Sequence, residues 1–196
     1  IDGLRAFAVV PVVLYQAGVP ALSGGFVGVD VFFVISGYLI TGLILDDLDR
    51  GRFSLARFYE RRIRRILPAL ISVILACLVA GWFFLAPDDY RTLGRSAIAA
   101  LLSFSNFFYR AESGYFDTPI AEKPLLHTWS LAIEEQFYLV FPVCLLALSK
   151  FCPRWRRAAI LVLCVASFLL CLAVTPKSPT YAFFMPQSRC WELLIV

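Results

Sequence analysis

The chain has 196 residues, of which 60% are hydrophobic and 16% charged, and its mean hydropathy is +0.78. Soluble domains carry about a quarter charged residues, so there is too little polar side chain here to clothe a water-soluble globule. The net charge of +4 is a local matter, because seven of the 18 basic residues lie between Arg50 and Arg65. That cluster is flanked by apolar runs of membrane length, which argues for an integral membrane protein and against nucleic-acid binding.

The chain opens without a methionine or a basic stretch, unlike a signal peptide. About 20 apolar residues cross a bilayer as a helix. Ala6 to roughly Leu22 forms a short first span interrupted by Gln16, and Gly24–Leu45 forms a second with Asp30 near its start. A loop of seven arginines and four acids follows at Asp46–Ile66. Leu67–Ala86 is the third span, with Pro68 in its first turn. Between Gly94 and Tyr109 an apolar stretch is broken by Arg95, Ser96, Ser103, Ser105 and Asn106. Thr128–Leu148 is the fourth span, although it contains Glu134, Glu135 and Gln136. After the basic Lys150–Arg157 come a fifth span, Ala158–Val174, and the start of a sixth at Cys190. The apolar Leu193–Val196 at the end predicts that at least one further helix follows. The expected fold class is all-α: a polytopic transmembrane helix bundle with about six spans and one re-entrant or interfacial helix.

The positive-inside rule orients these spans. Asp46–Ile66 and Lys150–Arg157 are the basic loops and belong in the cytoplasm, so an even number of crossings separates them. The third and fourth spans already supply two, which leaves Ser96–Tyr109 interfacial or re-entrant. Arg110–Leu126 and Thr175–Ser188 then lie outside, and the N-terminus lies inside. Cys77, Cys144, Cys164 and Cys171 fall in apolar runs, and no CxxC or Cys/His spacing occurs. Buried free thiols are expected, with neither a disulfide framework nor a metal site. No internal repeat and no glycine-rich phosphate loop is present.

Four sets of residues could carry chemistry. Arg5 and Gln16 stand eleven residues apart, about 16 Å along a helix, which places Gln16 near the bilayer midplane. There it either hydrogen-bonds a neighbouring helix or lines a wet cavity. Arg57, Arg61 and Arg64 or Arg65 share one helix face. Their guanidinium forks suit phosphate, or equally the anionic lipid surface. Glu134 and Glu135 lie about two turns inside the fourth span, where an unpaired carboxylate costs at least a few kcal/mol. His127, the only histidine, falls with Ser130 and Glu134 at i, i+3 and i+7 along one face. Glu134 is then either a base or orienting group, or a structural partner for an arginine such as Arg189. Asp30 poses the same question. With Glu134 and Glu135 it could also line a transport pathway, although no inverted repeat supports one.

Several segments together are similar to a known family. Ile1-Asp2-Gly3-Leu4-Arg5-Ala6, Gly25–Ile40 with its Gly37, Phe58–Pro68, Pro124–Leu139 and Arg189-Cys190-Trp191-Glu192-Leu193 occur in the order of the acyltransferase family 3 membrane domain. The resemblance covers residues 1–196 and implies roughly the first half of a domain of about ten helices, truncated at both ends. It implies a bacterial cytoplasmic-membrane O-acyltransferase. Such an enzyme moves an acyl group, usually acetyl, from cytoplasmic acyl-CoA to a surface glycan or lipid-linked glycan. A C-terminal extracytoplasmic domain occurs in some members. The family's RRxxR motif, associated with the CoA phosphates, matches Arg61, Arg62 and Arg65. Its first-span signature of arginine, ten residues and histidine matches Arg5 but meets Gln16 at the histidine. A carboxamide cannot accept a hydroxyl proton as imidazole can. The resemblance therefore implies either an active enzyme with a shifted base, for which His127 and Glu134 are candidates, or a catalytically impaired homologue that binds CoA or glycan.

Overall fold

The computed structural model describes residues 2–16, 24–112 and 123–195, and these form helices joined by turns, with no strand among them. In chain order the helices are α1 (Asp2–Gln16), α2 (Gly28–Asp49), α3 (Leu55–Phe84), α4 (Pro87–Leu101), α5 (Ser105–Ala111), α6 (Thr128–Phe151), α7 (Arg156–Val174), α8 (Pro179–Phe184) and α9 (Pro186–Leu194). Four of the six expected spans are helices long and apolar enough to cross a membrane: Gly25–Asp49, Leu55–Phe84, Thr128–Phe151 and Pro153–Val174. Residues 17–22 of the first expected span, and 113–122 of the expected outer loop, lie outside the described residues. The sixth begins within α9, which is nine residues long.

The first correction concerns α3. The arginine run is not a loop, because helix begins at Leu55, and Ser54 caps it by accepting from the Arg57 backbone N–H at 3.5 Å. Pro68 is therefore an interior residue, not a first-turn one. Such a proline removes one helical hydrogen bond, which a membrane helix tolerates when neighbouring groups compensate. The acceptor that Pro68 leaves open is the Arg64 carbonyl, and Ser72 Oγ separately donates to the Pro68 carbonyl at 2.9 Å. With 30 residues, α3 is about 45 Å long against about 30 Å of hydrocarbon, so one end must project. The end bearing the arginines is the one that hydration favours.

The chain divides into two compact units. One comprises Ser54–Val143 and Val174–Pro186. Its apolar core joins α3 to α4 through Ile74, Leu93, Ala97 and Ala100, with Leu125 added from the turn before α6. α4 starts on Pro87, with Asp88 and Asp89 in its first turn where the helix dipole favours acids. Fifteen and seven residues make α4 and α5 too short to cross. Of the polar residues that break this stretch, Ser96, Ser105 and Asn106 are buried and hydrogen-bonded, whereas Arg95 is exposed. Gln136 Nε2 donates to the Ser103 carbonyl at 2.6 Å and to Asn106 Oδ1 at 2.9 Å, and Asn106 Nδ2 donates to the Phe184 carbonyl at 3.1 Å. Ser105 Oγ donates to the Thr128 carbonyl at 2.8 Å.

The other unit comprises Ile1–Phe53, Cys144–Ala173 and Gln187–Val196. Here backbones meet closely. A Cβ at Gly28 would run into the Ala8 carbonyl of α1, and one at Gly37 into the Leu193 carbonyl of α9. Small residues permit such approach between membrane helices. The Ser167 hydroxyl of α7 joins α9 by donating to the Gln187 carbonyl at 2.6 Å and accepting from the Trp191 N–H at 3.0 Å. Gly37→Ala is expected to destabilise the chain by about 1–3 kcal/mol, because the obstacle is backbone and cannot rotate away. Gly42→Ala, with nothing within 4 Å, should instead be neutral or stabilising by a few tenths to about 1 kcal/mol. Thermal unfolding of both variants in detergent checks the contrast.

No disulfide joins the six cysteines, and the expected burial is not met: Cys144 and Cys152 are exposed and the other four half-buried. The apolar runs that contain them face outward over much of their length, as lipid-facing helices do.

Candidate active site

On α3, Phe58, Tyr59 and Arg62 turn inward, whereas Arg57, Arg61, Arg64 and Arg65 are exposed. Arg64 holds Glu60 one turn earlier at 2.8 Å, with both side chains largely exposed, a pair worth little on its own. Arg62 sits 4.5 Å above the Tyr138 ring and 5.7 Å from that of Phe58. Tyr59 Oη donates to the Leu139 carbonyl at 2.8 Å. These contacts bring the middle of α6 against the arginine end of α3.

Both α6 carboxylates belong to that contact. Glu134 is 4% exposed and accepts from the Tyr138 hydroxyl one turn later. Glu135 is half-buried, and its Oε1 is buried with no hydrogen-bond partner. His127 lies in the turn before α6, exposed, with its carbonyl accepting from Ser130 Oγ at 3.1 Å.

Arg189 corrects a second expectation. Instead of pairing with Glu134, it places one guanidinium nitrogen 2.7 Å from Asp30 on α2 and 2.7 Å from Glu192 on its own helix. Glu192 is 1% exposed, and its second oxygen has no hydrogen-bond partner. Sequence reasoning missed this cluster. Its signal was Arg189 and Glu192 three residues apart after Pro186, with one further acid, Asp30, in an otherwise apolar span. Arg5 and Gln16 occupy α1 eleven residues apart, and their side chains lie outside the described residues.

The acyltransferase family 3 profile, described as "Acyltransferase domain", matches residues 1–195. The chain belongs to this acyltransferase family. It is 44% identical over 156 residues to the O-acetyltransferase OatA of Staphylococcus aureus (strain NCTC 8325 / PS 47), covering 79% of this chain and 26% of that protein. Against the peptidoglycan O-acetyltransferase OatA of Listeria monocytogenes serovar 1/2a (strain ATCC BAA-679 / EGD-e), identity is 36% over 200 residues, covering 99% of this chain and 32% of that protein. A putative O-acetyltransferase of Staphylococcus aureus (strain COL) is 45% identical over 149 residues, which is 76% of this chain and 24% of that protein. The chain thus spans between a quarter and a third of the length of these curated relatives. No solved structure matches it.

The exposed face of α3 is rich in arginine. Arg57, Arg61 and Arg65 offer forked donors that match phosphate oxygens in pairs.

Proposed function

We propose that the chain is part of a bacterial cytoplasmic-membrane O-acyltransferase, with its N-terminus in the cytoplasm. It moves an acyl group, acetyl by the names of its relatives, from cytoplasmic acyl-CoA to a hydroxyl of a surface glycan such as peptidoglycan or its lipid-linked precursor. The observation that carries this reading is the family match along residues 1–195, together with identity to proteins named as O-acetyltransferases.

The residues fit the donor. Arg61 and Arg65, with Arg57 one turn before, would hold the phosphates, and Arg62 belongs to the same motif. Acyl-CoA supplies the activated thioester. The glycan hydroxyl must lose its proton as the ester forms, and the resemblance assigns that task to position 16, with Arg5 as its companion. Gln16 cannot take the proton. Of the two alternative groups, His127 keeps an exposed imidazole for proton exchange on the outer side, while Glu134, already accepting from Tyr138, is suited to orienting. Gln16 also favours a second reading, a catalytically impaired homologue that binds CoA and glycan without turnover.

Membranes carrying the chain, or its Gln16→His variant, are given labelled acetyl-CoA and peptidoglycan. Trypsin cleavage at the α3 arginines is followed with and without CoA. Label transfer by either form supports the enzyme reading. Protection by CoA with no transfer by either form selects the impaired homologue, and neither transfer nor protection overturns both.

A further inference from the structure

We infer that the turn between α6 and α7 is a docking site for the headgroup of an anionic phospholipid. Arg154 and Arg157 meet its phosphodiester, and Trp155 sits at the boundary between headgroups and acyl chains.

The turn is short. The Cys152 N–H donates to the Leu148 carbonyl at 2.9 Å, and the Trp155 N–H to the Cys152 carbonyl at 3.0 Å. Thr128–Phe151 and Pro153–Val174 are both long and apolar enough to cross a membrane, and Cys152 alone separates them. The chain therefore leaves and re-enters the bilayer here, which holds Lys150–Arg157 at its surface. Lys150, Arg154, Arg156 and Arg157 supply four cations, and no acid occurs between Gln136 and Trp191. Asp49 of α2 pairs with Arg156 at 3.6 Å, and Arg156 also donates to Ser149 Oγ at 3.4 Å. Asp46 is held by Arg50 at 2.9 Å. Arg154 and Arg157 stay exposed, with no acid against either among the described residues. Their guanidinium forks match phosphodiester oxygens in pairs.

The rings select a lipid over a soluble phosphate. Phe151 and Trp155 are 75% and 68% exposed and are interleaved with the cations. Water would meet those rings at a cost that grows with their area, whereas an indole is favoured at headgroup depth. Lys150 lies 5.6 Å over the Phe151 ring. On α7, Leu161, Val162 and Val165 continue the exposed apolar surface, where the acyl chains of the same lipid would run. A solvated basic loop needs only cations. A lipid site needs cations, interfacial rings and an apolar flank together, and this turn has all three.

The full chain is placed in phosphatidylcholine nanodiscs into which phosphatidylglycerol is titrated. Lipids of either class, spin-labelled near the headgroup, quench tryptophan fluorescence, and the part of the quenching lost in Trp155→Phe reports on the turn. In the parent, labelled phosphatidylglycerol should quench that part several-fold more than labelled phosphatidylcholine, and salt should weaken the preference. R154Q and R157Q should each lower the preference about fivefold, the attraction of one basic residue to an anionic surface. Lys177→Gln, which removes an exposed cation beyond the other end of α7, should leave it unchanged. Equal quenching by the two labels in the parent overturns the site, whether or not the arginine variants fold. A preference unmoved by R154Q and R157Q overturns it too. Loss of the preference on adding CoA or inorganic phosphate at constant ionic strength would make a soluble phosphate the occupant. Quenching by neither label would mean that protein covers the turn. Either result overturns the lipid assignment.

Discussion

Gln16→His is expected to raise acetyl transfer by about 10²–10⁴-fold, the range associated with a positioned general base. The carboxamide offers no basic nitrogen, so in the native chain the hydroxyl proton must leave to water or to a weaker relay. An imidazole at the same place takes it near neutral pH. The gain should come with a new pH dependence, rising through about pH 6.5 as the imidazole loses its proton, and the Gln16 chain should lack that limb. Gln16→Asn is the control, because it shortens the side chain and adds no base. Label transfer in membranes at several pH values reads both features. An unchanged rate and an unchanged profile would show that the family's histidine role does not carry over to residue 16 of this chain.

Arg189→Ala is expected to cost about 3–5 kcal/mol, the range for breaking a buried ion pair from one side. The guanidinium stands 2.7 Å from both Asp30 and Glu192, and its own side chain is 15% exposed. Without it, two carboxylates are left on α2 and α9 with no charge between them. Glu192→Gln should cost much less, because the arginine then faces one carboxylate. The double variant should recover part of the loss caused by Arg189→Ala. Thermal unfolding in lipid nanodiscs gives the ordering, and an Arg189→Ala chain as stable as the parent would mean that the triad contributes no net stability.

The apolar runs were legible because burial in lipid depends on composition summed over about 20 residues, and that sum survives errors at single positions. Gly28–Asp49, Thr128–Phe151 and Arg156–Val174 therefore emerge close to their sequence-based bounds. The start of α3 did not, because a proline at 68 is compatible with either a first turn or a helix interior, and Ser54 reveals its capping role only through the bond to Arg57. The motif arginines were legible as a group. That Arg62 differs from its neighbours was not, since the difference lies in Tyr138, 76 residues away along the chain.

The sequence by itself determined the membrane class and the helices' approximate placement, because each follows from side-chain chemistry summed locally, and its ordered motifs carried the family resemblance. Only the tertiary structure decided which charge meets which. Arg189 goes to Asp30 and Glu192, Glu134 to Tyr138, and Arg62 to an aromatic ring. A buried charge takes whatever partner packing brings within about 3 Å, and packing is set by contacts such as Gly37 against Leu193 that no local pattern announces.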